Sequence, residues 1–310
     1  MHDTMSNSRL PRRESVSTQE VRQSLMRPLN ERFIKTWRIF WGHRLGRVGF
    51  VGLCILVLIA VFASWLAPYG QSELTADALA APGAQHLLGT DHLGRDILSQ
   101  LLYGSRISLM VGFTSAFISA FIGVIIGATA GYYGGWADEL LSKVTDVALM
   151  MPVFFLILLV LTLFGSSLLY VMIIIGFTIW PSNARLMRAQ ALTLRERTFV
   201  KASRLLGESN LNILWRHIIP NGLQPVIANT TLQMAGAILT EASLSFIGLG
   251  DPNLSSWGRM IFEGRGYLTM GWWATLFPGF AIVITVLILY FVGDGLNYIM
   301  QPDRRSGGLS

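Results

Sequence analysis

Five long intervals of this sequence contain no Asp, Glu, Lys or Arg, and they constrain what the chain can fold into. A transmembrane helix needs about 20 apolar residues to cross about 30 Å of hydrocarbon, and each interval exceeds that length. Charged residues make up only 14% of the chain, against roughly 25% in an ordinary soluble domain. We therefore predict an all-α membrane protein. The uncharged intervals are residues 48–72, 107–137, 147–184, 217–240 and 266–293.

The interval 147–184 is too long for one transmembrane helix. As a single helix it would extend roughly 57 Å, nearly twice the hydrocarbon thickness. Gly165, Ser166 and Ser167 lie near its middle and favour a tight turn between two helices. The sequence therefore predicts six spans within a transmembrane domain of residues 48–300. The predicted spans are residues 48–66, 107–130, 147–164, 168–184, 221–240 and 273–293.

Basic residues are distributed unequally among the segments that connect these spans. Residues 1–47, 131–146, 185–217 and the C-terminal tail hold 20 of the 24 Lys and Arg residues, and six spans put these four segments on one side. Because loops rich in Lys and Arg stay in the cytoplasm, both termini and the 185–217 loop are predicted to be cytoplasmic. The other side holds Arg95, Arg106, Arg259 and Arg265.

The segments outside the spans differ in character. Residues 1–30 are polar and rich in Arg and Ser, which predicts a disordered cytoplasmic tail. Residues 301–310 are predicted to form a second cytoplasmic tail. In residues 31–47, apolar and basic side chains recur on opposite sides at helical spacing, which favours an amphipathic helix in the cytoplasmic interface over a flexible basic linker. The apolar residues are Phe33, Ile34, Trp37, Phe40 and Trp41, and the basic ones are Arg32, Lys35 and Arg38.

Small residues recur every four positions in the second span, at Ser119, Gly123, Gly127 and Gly131. Small side chains allow helix backbones to approach closely in lipid, where no hydrophobic force drives helices together. The stripe therefore predicts a helix contact. That contact is either inside this chain or with a second membrane subunit.

The spans carry no recognisable catalytic or metal-binding motif. The sequence has no G-x-x-x-x-G-K-[ST] segment for binding nucleotide phosphates, and its histidines lack the spacing of metal ligands. A single cysteine, Cys54, excludes an internal disulfide. Glu241 and Asp294 end the fifth and sixth spans, where a capping or interhelical hydrogen bond is favoured over an ion path. We therefore predict a non-catalytic chain that binds no metal or cofactor.

The predicted cytoplasmic segment 185–220 has a pattern suited to docking. A short helical stripe with small central residues is formed by Phe199, Ala202, Ser203 and Leu206, and Gly207 then allows a turn as a helix C-cap or bend. A second short helix follows, and Pro220 marks the start of the next span, where its missing N–H costs little. A small-faced helix of this kind fits a groove on a soluble partner. The alternative is a loop that is basic only because it is cytoplasmic.

This loop resembles the E-A-A-x3-G-x9-I-x-L-P loop of importer permeases that are driven by ATP-binding cassettes. Ala202, Gly207 and Pro220 match that pattern in register, whereas Lys201 replaces its Glu and His217 its Ile. The Lys201 replacement removes one possible acidic contact with the ATPase. The residues that the resemblance assigns to ATPase coupling are Phe199, Lys201, Ala202, Ser203, Gly207 and Pro220.

Three further segments resemble the C-type permease subunit of dipeptide and oligopeptide importers. They are LLGTDHLGRDILSQLLYGSRISL at 87–109, EASLSFIGLG at 241–250 followed by Ser-Trp-Gly at 256–258, and GDGLNYIMQPDRR at 293–305. The resemblance covers residues 31–305. Nickel and glutathione importers share these segments, so the resemblance leaves the substrate open.

The resemblance implies the fold of a type I ABC importer permease in a bacterial inner membrane, with 185–220 as its coupling loop. It also implies membrane lipid and three classes of protein partner, and no nucleic acid. These are a homologous second permease, two ATPase subunits or domains that use ATP and Mg, and an extracytoplasmic solute-binding protein. The function that it implies is ATP-driven import of di- or oligopeptides.

The outer segments 67–107 and 241–272 are candidates for contact with the binding protein. The candidate residues there are Asp91, Arg95, Asp96 and Trp257. An internal salt-bridged turn is the alternative for the first three. Two other functional classes are alternatives: a proton-coupled secondary transporter, which would need acids or histidines near the bilayer midplane, and a membrane-embedded enzyme, which would need clustered catalytic groups.

Overall fold

The computed structural model describes residues 39–75 and 77–300. The predicted tails 1–30 and 301–310, and the first part of the predicted interfacial helix 31–47, lie outside these residues. The described residues form helices joined by loops, and their one β-type pairing is an isolated bridge between Thr90 and Asp96. The helices are α1 (Arg44–Val61), α2 (Ala63–Leu66), α3 (Ile97–Tyr133), α4 (Gly135–Met150), α5 (Val153–Phe164), α6 (Leu168–Arg195), α7 (Thr198–Leu205), α8 (Asn210–Ile213), α9 (Ile219–Phe246), α10 (Trp257–Gly264) and α11 (Trp273–Met300). A π-helix (Leu214–Ile218) links α8 to α9, and a 3-10 turn (Arg265–Tyr267) follows α10.

The all-α membrane fold is confirmed, but the count of six spans is not reproduced. Four helices in the described part of the chain are long and apolar enough to cross a membrane, namely α1, α3, α6 and α11. The pair α4 and α5 adds a fifth if it counts as one span. The predicted span 221–240 lies within α9, which has 28 residues but does not pass the same criterion because polar side chains interrupt it.

The predicted third span, 147–164, is divided between two helices. Residues 147–150 end α4, and α5 begins at Val153 after a bend of 80°. Pro152 causes the break, because a proline disfavours helical geometry at the residue before it, and Met151 is extended, with ψ 129°. The 12 residues of α5 extend only about 18 Å, which is too short to cross the membrane alone.

The small-residue stripe of the second span packs inside this chain. Gly123 faces Asn183 on α6, Gly127 faces the Ala184 carbonyl, and a Cβ added at Gly131 would lie 2.5 Å from the Arg188 carbonyl. The backbones of α3 and α6 are therefore in direct contact over two helical turns. This result confirms the intrachain alternative for the stripe, and it makes the pair α3–α6 the centre of the bundle.

We predict that Gly127→Leu separates α3 from α6 and destabilises the protein by at least about 1–3 kcal/mol, because overpacking forces the neighbours to move. The measurement is the thermal unfolding midpoint of the purified transport complex. Gly279→Leu on α11 is the matched control, since no atom lies within 4 Å of a Cβ built at that glycine. Equal midpoints for the two variants would contradict the proposed packing role.

Candidate functional site

The segment between α6 and α9 folds as a compact unit at one end of the bundle, the end predicted to be cytoplasmic. Val200 of α7, Ile213 of α8 and Ile218 of the π-helix are fully buried. They share one apolar cluster with Ala128 of α3 and Met187 of α6. A loop with three such anchors moves together with the helices that hold it.

Polar contacts fasten the same segment to the end of α3. Tyr132 Oη donates a hydrogen bond to Asn210 Oδ1 at 2.8 Å, and the Arg204 guanidinium lies 5.6 Å from the centre of the Tyr132 ring. The Arg195 guanidinium donates to the Gly131 carbonyl at 3.0 Å. These contacts were not predicted, because no local pattern in the sequence indicates that the end of α3 lies beside the loop.

Gly207 ends α7 in a Schellman motif. Its φ is +82°, the left-handed region that glycine adopts without steric cost. The N–H of Gly207 donates to the Arg204 carbonyl and that of Glu208 to the Ser203 carbonyl, both at 3.1 Å. The predicted C-cap at Gly207 is thereby confirmed. The four-residue spacing from Ser203 to Gly207 is the spacing that this motif requires.

The π-helix lies just before Pro220, the second residue of α9. A proline has no N–H, and its ring clashes with the carbonyl four residues earlier, which is that of Arg216. Widening the preceding turn to the π form accommodates that clash while the helical path continues. Pro220 therefore lies at the start of the helix, as the sequence predicted.

The two residues that depart from the family loop pattern bond within the loop itself. His217 Nε2 lies 3.0 Å from Glu208 Oε2 and 3.4 Å from Ser203 Oγ, which ties the second half of the loop to α7. Lys201 forms an ion pair with Glu196 at 3.0 Å. Its hydrogen bond lowers the pKa of the Glu196 carboxyl. Both residues of that pair are exposed, so the pair contributes little to stability.

The tip of the loop presents an exposed apolar surface. Leu205 and Leu206 are 89% and 87% exposed, directly before Gly207, and Phe199 is also exposed. We call these three residues, together with Lys201 and Ala202, the coupling surface. The stripe predicted from the sequence includes Leu206 but not Leu205, although Leu205 lies next to it beside the C-cap glycine. Ser203, by contrast, is partly buried against His217.

The outer residues Asp91 and Arg95 belong to an internal network. Asp91 is buried and accepts hydrogen bonds from the Arg95 Nε at 2.6 Å and the Gln100 amide at 2.9 Å. Arg95 also pairs with Glu263 of α10. Burial alone would lower the pKa of Arg95, but the charges of Asp91 and Glu263 outweigh it and raise that pKa. The network therefore ties the outer loop to α10.

Asp96 and Trp257 are buried as well. Asp96 caps α3 by accepting from the N–H and the hydroxyl of Ser99, each at 2.8 Å, and it lies 3.0 Å from His86 Nδ1. The Trp257 indole donates to the Leu101 carbonyl at 3.0 Å. The structure thus places all four candidate binding-protein residues in contacts within the chain. The salt-bridged turn that the sequence left open describes the geometry of Asp91, Arg95 and Asp96. Contact with a binding protein stays a prediction.

The two acids at the span ends have different environments. Glu241 is 3% exposed, and its Oε1 accepts from the hydroxyls of Ser245 and Ser256, each at 2.6 Å, so it joins α9 to the N-terminus of α10. Asp294 is exposed and lies 3.6 Å from His43 Nε2. In the described residues, no group of three or more His, Cys, Asp or Glu side chains is arranged to hold a metal ion.

Two segments of the chain match known families. Residues 123–306 match the family described as "Binding-protein-dependent transport system inner membrane component". Residues 32–82 match the family described as "N-terminal TM domain of oligopeptide transport permease C". The first match includes α6, α9 and the whole coupling surface.

Several curated proteins are similar over most of their length. A putative peptide transport system permease protein of Brucella abortus biovar 1 is 41% identical over 278 residues, which cover 89% of this chain and 93% of the relative. A dipeptide transport system permease protein of Escherichia coli K12 is 39% identical over 288 residues, with 90% and 95% covered. A glutathione transport system permease protein of Pectobacterium atrosepticum is 36% identical over 286 residues, with the same coverage.

A solved structure shares the fold. One chain of an inward-facing MetNI methionine ABC transporter superimposes with a TM-score of 0.52 and 18% sequence identity. The match covers 65% of this chain and 97% of that chain. The fold is therefore that of a type I ABC importer permease.

We predict that Asp96→Ala destabilises the outer end of α3 by about 1–2 kcal/mol, because the helix loses its N-cap. The thermal unfolding midpoint of the purified complex should fall by about 2–4 °C for each kcal/mol lost. Asp96→Asn keeps an acceptor for the Ser99 N–H and should recover most of the loss. An unchanged midpoint for Asp96→Ala would show that the cap is dispensable.

Proposed function

Because the chain belongs to the family of binding-protein-dependent transport system inner membrane components, we propose that it is a permease subunit of an ATP-driven peptide importer. The observation that carries the proposal is the coupling surface, an exposed apolar tip on a rigidly anchored cytoplasmic loop. The relatives named as peptide and dipeptide permeases support the substrate class. Their alignments extend over most of both chains.

In this proposal the chain catalyses no reaction itself and depends on partner proteins. A homologous second permease completes the passage, and two ATPase subunits or domains bind ATP and Mg and dock on the coupling surface. An extracytoplasmic solute-binding protein delivers the peptide. The asymmetry of Lys and Arg supports an orientation with both termini and the coupling loop in the cytoplasm, where ATP is available.

ATP-driven closure of the ATPases would move the coupling surface, and the structure of the loop suggests how that movement spreads. The loop runs directly into α6 and α9, and its buried residues pack on α3. A displacement at Leu205 and Leu206 therefore reaches three long helices as a rigid-body rotation. The helices would rock between inward and outward openings at the interface between the two permeases.

Glutathione is the second candidate substrate, because a relative named as a glutathione permease is 36% identical over 90% of this chain. Nickel import was a further alternative from the sequence. A proton-coupled secondary transporter is an alternative of a different functional class. It would transport without an ATPase partner.

We predict that membrane vesicles containing this chain and its partners accumulate labelled dipeptides only when ATP, Mg and the binding protein are present. The measurement is uptake with labelled dipeptide, glutathione or nickel ion as probe. Uptake driven by a proton gradient without ATP would contradict the importer assignment. Uptake of glutathione or nickel but not of dipeptides would contradict the peptide substrate while leaving the importer assignment intact.

We predict that Gly207→Val uncouples ATP hydrolysis from peptide uptake. A β-branched residue is strained at a φ of +82°, so the end of α7 must change and displace the coupling surface. The measurement is the ratio of peptide uptake to ATP hydrolysis, with the amount of inserted permease determined in the same membranes. Gly207→Asn is the control, because asparagine tolerates the left-handed region and should keep coupling. Normal coupling in Gly207→Val would contradict the role of the loop.

A further inference from the structure

Where α6 packs against α9, a strip of polar side chains lies within the predicted spans 168–184 and 221–240, and we call this strip the α6–α9 groove. Asn183 of α6 is fully buried, and its amide nitrogen bonds to Gln233 Oε1 at 2.8 Å and Ser119 Oγ at 3.1 Å. Toward the surface, the Asn229 amide nitrogen donates to Asn183 Oδ1 at 2.8 Å and to Ser182 Oγ at 3.2 Å. A continuous hydrogen-bonded chain thus runs from the bundle interior to an exposed edge.

The amides in the interior of this network have hydrogen-bond partners, whereas two polar atoms at its surface have none among the described residues. Gln233 also donates to the Ile179 carbonyl at 3.0 Å, so the buried amides have partners. At the surface, Asn229 Oδ1 and the Ser182 hydroxyl hydrogen have no partner among the described residues. A Ser or Thr hydroxyl can bond to the preceding turn of its own helix, as Thr240 and Ser243 do. The Asn229 carbonyl oxygen is an acceptor and has no such option.

The depth of the groove makes its polarity costly in lipid. Asn229 lies ten residues into the 28-residue α9, about 15 Å from the cytoplasmic end of a helix about 42 Å long. Asn229 lies within the predicted span 221–240, and Ser182 lies two residues before the end of the predicted span 168–184. An unsatisfied polar group in hydrocarbon costs several kcal/mol, so such groups face water, a cavity or another polar surface.

Other exposed faces of the predicted spans have a different composition. Phe177, on the same helix as Ser182 but on another face, is 57% exposed. On α3, Phe113, Phe117 and Phe121 form a stacked, exposed ladder. The α6–α9 groove instead continues along α9 to Gly236, seven residues after Asn229, where a Cβ would meet no atom within 4 Å.

We propose that Ser182, Asn229 and Gly236 line the water-filled passage through which solute moves. This inference rests on the proposed function and specifies which surface of the chain meets the solute. Asn229 Oδ1 accepts a hydrogen bond from a peptide N–H or from water, and the Ser182 hydroxyl donates to a peptide carbonyl. Asn183 acts as a positioning residue, because it holds the Asn229 amide nitrogen and so directs the Asn229 oxygen toward the passage.

The test measures the water accessibility of introduced cysteines in the assembled complex in membrane vesicles. The background carries Cys54→Ala, since Cys54 is exposed on the apolar helix α1. Ser182→Cys and Gly236→Cys are the test variants, and Phe177→Cys is the matched control on α6. A charged methanethiosulfonate reagent reacts with the thiolate, which forms in water but not in hydrocarbon. We expect Ser182→Cys and Gly236→Cys to react at least about tenfold faster than Phe177→Cys.

A lipid-soluble maleimide should label all three variants, which shows that each cysteine is present and reachable. The inference is overturned if Ser182→Cys and Gly236→Cys react with the charged reagent as slowly as Phe177→Cys, the result expected if the second permease or lipid covers the groove. Peptide uptake by the same vesicles is measured separately. Uptake with unreactive groove cysteines refutes the lining alone, whereas reactive cysteines without ATP-dependent uptake support the lining and count against the proposed function.

Discussion

Close backbone contact between α3 and α6 is the constraint on which the rest of the structure depends. In lipid no hydrophobic force holds helices together, so van der Waals contact across small residues must do so. Gly123, Gly127 and Gly131 bring α3 directly against the backbone of α6. The same pair fixes Asn183 against Ser119 and supports the apolar cluster under the loop between α6 and α9. Loss of this contact would remove both the polar network and the platform on which the loop rests.

The two ends of the bundle use different means of fixing their loops. The loop between α6 and α9 is held mainly by buried apolar side chains such as Val200 and Ile213, and its tip remains apolar and exposed. The outer loop is held by buried charges, with Asp91 and Asp96 satisfied by several donors each. Buried charges need well-placed partners, which makes the outer end geometrically specific. The exposed apolar tip is suited instead to a partner that engages and moves it.

Local sequence signals predicted the features that depend on local geometry. The position of Gly207 in a C-cap, Pro220 at a helix start and the small-residue stripe each follow from the chemistry of one segment. The predicted third span, 147–164, is not one straight helix. An uncharged interval indicates hydrophobicity but not the direction of the chain, and the chain bends by 80° at Pro152. The burial of Trp257 and the pairing of Arg95 with Glu263 join residues more than 150 positions apart. Such contacts require the tertiary fold, which periodicity and composition do not encode.

The π-helix at Leu214–Ile218 has a consequence for the whole of α9. Each residue of an α-helix advances the chain by 1.5 Å and turns it by about 100°. The wide turn therefore sets the rotation of α9 about its axis relative to the loop that precedes it. Insertion or deletion of one residue there would swing Asn229 and Glu241 together onto different faces. The number of residues in the π-helix is therefore constrained as strongly as the identity of its side chains.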